Sequence, residues 1–379
     1  MKFVHLSDLH IGKRVNEFSM IEDQKFILEQ IIDIIKSNQP DGVIIAGDIY
    51  DRSIPSEEAV SLFDDFLVKL NQLGVKVFII SGNHDSPERL AFGSRIISES
   101  GIYMSKVYDG KIEPITMYDN HGEVDVYMLP FVKPQHIRRY YPDDDISSYT
   151  DAIKVALSNA NINTNKRNIL VTHQFVTGAE RSESEDISVG GSDNVDSSVF
   201  ADFDYVALGH IHGPQKIGSE KIRYCGTPLK YSFSECNHEK SVTIVELCEK
   251  GSLNINTIPL TPLHDMVEIK GKYDDIMSKN FYKDTNYQEC YIHITLTDED
   301  DVIDAINKLR IVYPLLMKLD YDNTRTRTTS HFTADENIDQ KTPLILFKEF
   351  FKEQNGNDMS SAQEEIVAKL IEEIWEDRK

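Results

Sequence analysis

Five short apolar runs, each closed by side chains able to hold a metal ion, organise the first two thirds of this chain. Phe3-Val4-His5-Leu6, Gly42 to Ala46, Val75 to Ile80, Ile169 to Thr172 and Tyr205 to Leu208 are rich in β-branched and aromatic residues. That is the pattern of strands buried on both faces of a sheet. Between the first three lie two stretches with helical spacing, one carrying Ile27, Ile31, Ile34 and Ile35, the other Val60, Phe63, Leu67 and Leu70. Ser19 and Glu22 stand three apart, as in a capping box for the first helix, and Pro55-Ser56-Glu57-Glu58 with Gly74 brackets the second. The order strand, helix, strand, helix, strand predicts right-handed crossovers and parallel strands whose C-termini share one edge, where ligands bind in open α/β folds.

The pattern then changes. Ser241 to Leu247 and Leu253 to Ile258 alternate with period two around Gly251, predicting a closing hairpin. Met266 to Tyr321 reads strand, helix, strand, helix, strand, a small α+β unit. Residues 323–342 are threonine-rich and almost free of aliphatic side chains, favouring a linker. Two helical patterns follow, with Leu346, Phe347, Phe350 and Phe351, then Ile366, Val367, Leu370, Ile371, Ile374 and Trp375. Their stripes either pack back on the core or dock against a partner's helix. The expected division is 1–265, 266–322, linker 323–342 and helices 343–379.

The polar closures of the runs carry the chemistry: Asp8-Leu-His10, Gly47-Asp48-Ile-Tyr-Asp51, Gly82-Asn83-His84-Asp85, His173 and Gly209-His210-Ile-His212. Asp-x-His or Gly-Asp after a strand is commonly only turn chemistry. All five, in order and at strand ends, point instead to a two-metal phosphoesterase. Two divalent ions roughly 3.5–4 Å apart polarise a phosphodiester from both sides and generate hydroxide at neutral pH. Asp8, His10, Asp48 and His212 would form one site, and Asp48, Asn83, His173 and His210 the other, with Asp48 bridging. The donors are oxygen and nitrogen without sulfur, which argues against a thiolate zinc site and permits manganese, iron or zinc. His84 is the candidate to stabilise charge at phosphorus or protonate the leaving 3′ oxygen. Asp85 reads as its orienting partner or a turn residue. His5, inside the first strand, reads as a core histidine, and His121, His136, His238, His264, His293 and His331 as ordinary.

With 379 residues and 40% hydrophobic content the chain can bury two or three domains. Cys225, Cys236, Cys248 and Cys290 show no metal or redox spacing and are expected to be reduced thiols. No signal-peptide or membrane-span run is present, making the cytoplasm the expected location. The formal charge of −23 runs against unaided DNA binding, which needs a basic face. Residues 1–265 alone hold 39 acidic and 25 basic side chains. Lys133, His136, Arg138 and Arg139, beside Tyr140 and Tyr141, are the best local cations for a phosphate backbone, or else a solvated helix face.

The ordered motifs resemble those of the calcineurin-like metallophosphoesterases. Within them, Met1 to Gly12, the stretch Arg223-Tyr-Cys-Gly-Thr-Pro-Leu-Lys-Tyr-Ser-Phe-Ser-Glu235 and the added small domain resemble the SbcD nuclease subunits of bacterial SbcCD complexes, over nearly the whole chain. The resemblance implies a metallophosphoesterase-type sheet sandwich flanked by helices, a small α+β capping domain guiding duplex to the metals, and C-terminal helices clasping a coiled coil. It implies a manganese-dependent DNA nuclease: an ATP-regulated 3′ to 5′ double-strand exonuclease and single-strand or hairpin endonuclease, acting in repair, recombination and replication. It further implies an SbcC-like coiled-coil ATPase as partner and a two-fold heterotetramer. Archaeal and eukaryotic relatives often carry a second histidine where this chain has Asp51-Arg52, so Arg52 is kept only as a candidate phosphate contact. A phosphatase or cyclic-nucleotide phosphodiesterase would use the same metals but needs neither the extra domain nor the apolar helices. A non-catalytic scaffold would not need to keep all seven ligands and His84.

Overall fold

The computed structural model describes residues 1–185, 193–324, 326, 343–355 and 358–376. Two compact units emerge, one of Met1–Glu268 with Glu289–Ile292, the other of Ile269–Gln288 with His293–Lys379.

The first unit is built on two six-stranded sheets. One contains β1 (Lys2–Leu6), β4 (Gly42–Ala46), β5 (Lys76–Ile80), β6 (Ile102–Met104), β13 (Ser241–Leu247) and β14 (Leu253–Pro259), in the order β14-β13-β1-β4-β5-β6. The short ribbon β2 (Arg14–Val15) and β3 (Phe18–Ser19) stands apart from it. The other sheet contains β7 (Ile115–Asp119), β8 (Gly122–Leu129), β9 (Arg167–His173), β10 (Tyr205–Gly209), β11 (Gln215–Ile217) and β12 (Ser219–Tyr224), ordered β11-β12-β10-β9-β8-β7. Strands β1, β4, β5 and β6 pair in parallel, as do β8, β9, β10 and β12. The hairpin β13–β14 closes the first sheet antiparallel to β1, as the alternation predicted.

Apolar side chains on both faces explain the runs without alternation. Phe3, Ile44, Phe78 and Ile80 meet Val124, Val126, Ile169, Val171 and Tyr205 in a core between the two sheets. On the outer face of the second sheet, Leu129, Leu170, Val206 and Leu208 pack with Ala152, Ile153, Ala156 and Leu157 of the helix Tyr149–Ser158. The five motif-bearing strands are therefore shared between two sheets, and the single edge expected of them is the rim where both sheets end.

Helix α1 (Ile21–Asn38) buries Ile27, Leu28, Ile31, Ile32 and Ile35, while Ile34 is only half-buried. Its expected capping box does not form: Ser19 belongs to β3, Met20 is the N-cap and makes no side-chain cap, and Ser19 Oγ accepts only from Ile21 N–H at 3.5 Å. In α2 (Glu57–Gln72) Ser56 does cap, accepting from Ala59 N–H at 3.3 Å. Phe63, Phe66 and Leu70 are buried there, but Val60 is exposed and Leu67 half-buried, so the apolar stripe is wider than the core it meets.

The second unit carries most of the three-stranded order β15 (Met266–Gly271), β16 (Tyr291–Leu296), β17 (Leu316–Tyr321), with short helices Tyr273–Met277, Lys279–Tyr282 and Ala305–Val312. Most of the expected linker, and His331, lie outside the described residues. Two helices follow, Pro343–Asn355 and Ser361–Glu376, joined by a Lys348–Glu364 ion pair at 2.6 Å. Ile345, Phe347, Phe350, Ile366 and Leu370 on them are exposed.

Candidate metal centre

Each motif sits just past or at the end of its strand. Asp8 and His10 follow β1, Asp48 follows β4, Asn83 and His84 follow β5, His173 ends β9, and His210 and His212 follow β10. The loops are tied together by their own backbones: Asp8 N–H donates to Gly47 O and His10 N–H to Asp48 O, both at 3.0 Å. Asp8 then accepts from His210 N–H at 3.0 Å, joining the two sheets at the rim.

This tight packing strains the backbone. Asp8, His10, Asp48 and His210 all have positive φ, at 52°, 44°, 48° and 103°. Such conformations cost of order 1–3 kcal/mol and gather at functional sites. Glycines relieve the crowding between loops. A Cβ on Gly47 would lie 2.5 Å from His173 Nδ1, and one on Gly82 or Gly209 would overlap Asp48 or the Ala46 carbonyl.

All seven expected ligands converge. His10 Nε2 lies 3.2 Å from His212 Nε2, and Asn83 Oδ1 lies 2.9 Å from both His173 Nε2 and His210 Nδ1. Asp48 Oδ2 is 3.4 Å from His173 Nε2 and 3.7 Å from His10 Nε2, while its Oδ1 accepts from His84 N–H at 2.9 Å. One oxygen of Asp48 thus faces both donor sets. Among the described residues, Asp8-His10-His212, His10-Asp48-His84 and Asp8-Asp48-His173 can each hold an ion, every group keeping its donor atoms within 4.8 Å of one another.

Burial sets the electrostatics. It lifts Asp8 to about 6, with Asp48 adding to the rise and His173 opposing it. Asp48 is equally buried, yet His173, His10 and His84 hold it well below the usual carboxylate range. Burial works against a charged His173 too, but Asp48 and Asp8 more than reverse this and raise it to about 9. His210, buried beside His173, falls to about 3. A site with two buried carboxylates therefore draws positive charge inward, which on the bare protein means a proton on His173.

His84 Nδ1 donates to Asp51 O at 2.9 Å, and Nε2 is 3.9 Å from Asp48 Oδ2. Asp85 is buried and accepts from Ile49, Tyr50 and Gly82 N–H at 2.9–3.1 Å, the work of a turn residue rather than of a partner to His84. Arg52 is largely exposed, with Nε 3.7 Å from Asp51 Oδ2, and Lys13 pairs with the same carboxylate at 2.8 Å. In the cationic patch, Ile137 is buried, Arg138 reaches Ile146 O at 3.4 Å, and Arg139 lies 5.9 Å from the centre of the Tyr140 ring. His5 is buried with Nδ1 2.8 Å from Tyr205 Oη, as a core histidine should be. All four cysteines are free thiols.

Sequence reasoning missed what stands behind the ligands. His173 Nδ1 donates to Ala46 O at 2.8 Å, and Gln24 donates to His10 O at 2.7 Å. Glu235, Ser184, Glu185, Thr227 and Lys240 surround His212. The stretch ending at Glu235 reads in the sequence only as a likeness, because a single carboxylate beyond a Phe-Ser pair has no spacing that links it to a histidine 23 residues earlier.

Residues 1–214 match the calcineurin-like phosphoesterase family, and residues 262–355 match the type 5 capsule protein repressor C-terminal domain. Over 375 residues the chain is 34% identical to a Staphylococcus epidermidis protein named as the SbcD component of the nuclease SbcCD, covering 98% of each. A Staphylococcus saprophyticus protein of the same name is 33% identical over 381 residues, covering all of this chain and 99% of that one. A dimetal phosphatase structure from Danio rerio aligns over 69% of this chain and 98% of its own, with 10% identity and a TM-score of 0.38. Fold, rim and family match together make this a calcineurin-like phosphoesterase. Within that class, the chain belongs to the SbcD family.

Proposed function

We propose that the chain is the nuclease subunit of an SbcCD-like complex, hydrolysing DNA phosphodiesters with two divalent ions, manganese first among them. The observation that carries this is the single oxygen Asp48 Oδ2 turned toward both His173 and His10. The donors fit cations on chemical grounds. His212 Nδ1 is engaged by Ser184 and Glu235, so its Nε2 presents a lone pair at 3.2 Å from His10 Nε2. Two such nitrogens face each other comfortably only with a cation or proton between them.

Asp8, His10, Asp48 and His212 would hold one ion, and Asp48, Asn83, His173 and His210 the other. Paired divalent ions supply hydroxide at neutral pH and polarise the phosphoryl oxygens. His84, whose Nδ1–H is committed to Asp51 O, turns Nε2 to the site to stabilise charge at phosphorus or protonate the leaving oxygen. Buried, strained loops hold these groups still, so little reorganisation is needed during reaction.

An SbcC-like coiled-coil ATPase is the proposed partner. The exposed Phe347, Phe350, Ile366 and Leu370 support its docking on the two last helices, 343–379. A two-fold dimer is supported by a groove of about 630 Å³ beside α2, lined by Val60, Phe63, Leu67, Leu90, Phe92 and Ile97, with Phe92 85% exposed. On this reading residues 1–265 are the nuclease domain and 266–322 the capping domain, joined to the final helices by the linker 323–342, and ATP in the partner gates double-strand exonuclease and hairpin cleavage. The cytoplasm is the proposed place of work, and no described helix is long and apolar enough to cross a membrane.

The test compares blunt duplex, hairpin DNA and a generic phosphoester under Mn2+, with and without the ATPase and ATP. Cleavage of both DNAs, stimulated by ATP and partner, is expected. Preference for the generic ester in every condition would reject the nuclease reading in favour of a phosphatase, and no hydrolysis at all would favour a scaffold.

A further inference from the structure

One metal-type histidine is held by a cluster of polar side chains gathered around it. His212 is 2% exposed, and three of its polar groups end on a single buried cluster. Its Nδ1 lies 2.7 Å from Ser184 Oγ and 3.3 Å from Glu235 Oε1, and Ser184 Oγ in turn donates to Glu235 Oε1 at 2.5 Å. Because Ser184 gives its proton to the carboxylate, it accepts from Nδ1, so the imidazole proton sits on Nδ1. The backbone N–H of His212 donates to Glu185 Oε1 at 2.6 Å. Its carbonyl accepts from Lys240 Nζ at 2.9 Å and from Thr227 N–H at 3.1 Å.

Lys240 closes the ring, donating to Glu235 Oε2 at 2.5 Å and to Thr227 Oγ1 at 2.7 Å. Glu235 and Thr227 are fully buried and Lys240 is 5% exposed. A buried ion pair is a poor stabilising device, since desolvation offsets most of the attraction and an apolar pair of like size does as well or better. That this cluster directs its donors and acceptors at one histidine gives it another purpose.

From this we infer that Glu235, with Ser184 as relay and Lys240 as counter-charge, is a positioning residue that fixes the Nδ1–H tautomer and ring direction of His212 so that Nε2 faces His10 and the site. The inference rests on the reading of His212 as a metal ligand. Carboxylates behind ligating histidines typically change metal affinity about 10–100-fold when lost.

The experiment is Mn2+ titration calorimetry on the full chain, comparing wild type with Glu235→Gln combined with Lys240→Met, which removes both buried charges and keeps the volume. Wild type is expected to bind two ions, and the double variant to bind one of them roughly 10–100-fold more weakly with the other unchanged. Ser184→Ala, which deletes only the relay hydroxyl, should weaken the same ion by a smaller factor. Nitrogen-15 histidine spectra of the metal-free wild type supply a reading that does not depend on the charge-removing variant folding, the His212 signal being assigned by its loss in His212→Gln. A protonated Nδ1 and bare Nε2 are expected. Two unchanged affinities in the double variant, or a His212 carrying its proton on Nε2, would overturn the inference. A wild type that binds fewer than two ions would instead overturn the underlying two-metal reading.

Discussion

Gly82→Ala is a one-carbon change that tests whether loop contact positions the centre. Gly82 does not have positive φ, so an alanine meets no backbone penalty, and only crowding is at issue. Its Cβ would stand 2.5 Å from Asp48 N and 2.7 Å from Asp48 Cγ, and closer still to Oδ1. Carbon atoms settle about 3.5–4.0 Å apart, so Asp48 or the Gly82 loop must retreat by roughly 1 Å. Asp48 Oδ2 now lies 3.4 and 3.7 Å from the ring nitrogens of His173 and His10, and such a displacement removes it from the point both sets share. Misplacement by about 1 Å can cost about 100-fold in rate. Overpacking costs about 1–3 kcal/mol, which at about 2–4 °C per kcal/mol lowers Tm by roughly 2–12 °C. Mn2+-dependent cleavage of hairpin DNA should therefore fall about 100-fold in a protein that still folds. Gly251→Ala is the control: it has φ 84° and open space around it, so it should lose about 1–2 kcal/mol from backbone strain and no activity. A Gly82→Ala protein cleaving at close to the wild-type rate would refute the claim that close loop contact sets Asp48.

Three further outcomes are expected. His84→Ser should abolish cleavage while metal analysis still finds about two ions per chain; loss of an ion with the histidine would make it a ligand instead. His5, buried and lowered to about 3, is neutral in the fold. The unfolded chain takes up its proton first, so stability is whole above about 6.5 and drains away as pH falls toward 3, by up to about 3 kcal/mol at pH 4. In metal-free protein His5→Gln should flatten the decline of Tm between about pH 6.5 and 4, and an unchanged slope would show that other groups govern it. Stripping metal with a chelator and restoring Mn2+ at about 100 times its Kd should raise stability by about 2.7 kcal/mol per site, read as a concentration-dependent Tm, and a flat response would argue against specific sites.

The strands were legible because burial on both faces leaves an unbroken apolar run, and the candidate ligands because each follows or ends such a run. Two features of the fold were hidden for physical reasons. Ser19 and Glu22 have capping-box spacing, but Ser19 is held in a two-residue ribbon with Arg14, and tertiary pairing overrode the local preference. Val60 and Leu67 keep helix period with Phe63, yet periodicity records only which face is apolar and not what covers it. The cluster behind His212 was invisible for a different reason. Glu185 and Glu235 stand 50 residues apart in the chain. Nothing in linear spacing distinguishes a carboxylate that will accept from a ligand's backbone from one that faces water.

The acidity of the chain and the design of the rim belong to one problem. On the proposed nuclease reading, two buried carboxylates at the point where DNA phosphate arrives would repel it, and the 39 acidic against 25 basic side chains of residues 1–265 offer little relief. Two divalent ions would add four positive charges at that point alone. Binding would then depend on metal first and on protein cations second, which is consistent with Lys13 being paired with Asp51 at 2.8 Å, while the exposed Arg52 stays a candidate phosphate contact. Strain at Asp8, His10, Asp48 and His210 fits the same logic. A bare protein holds like-charged groups and opposed lone pairs in place at a cost, and a cation converts that cost into affinity. On the same proposed reading, sustained grip on duplex would come from surface outside this rim, supplied by a partner docked on the exposed apolar side chains of the last two helices.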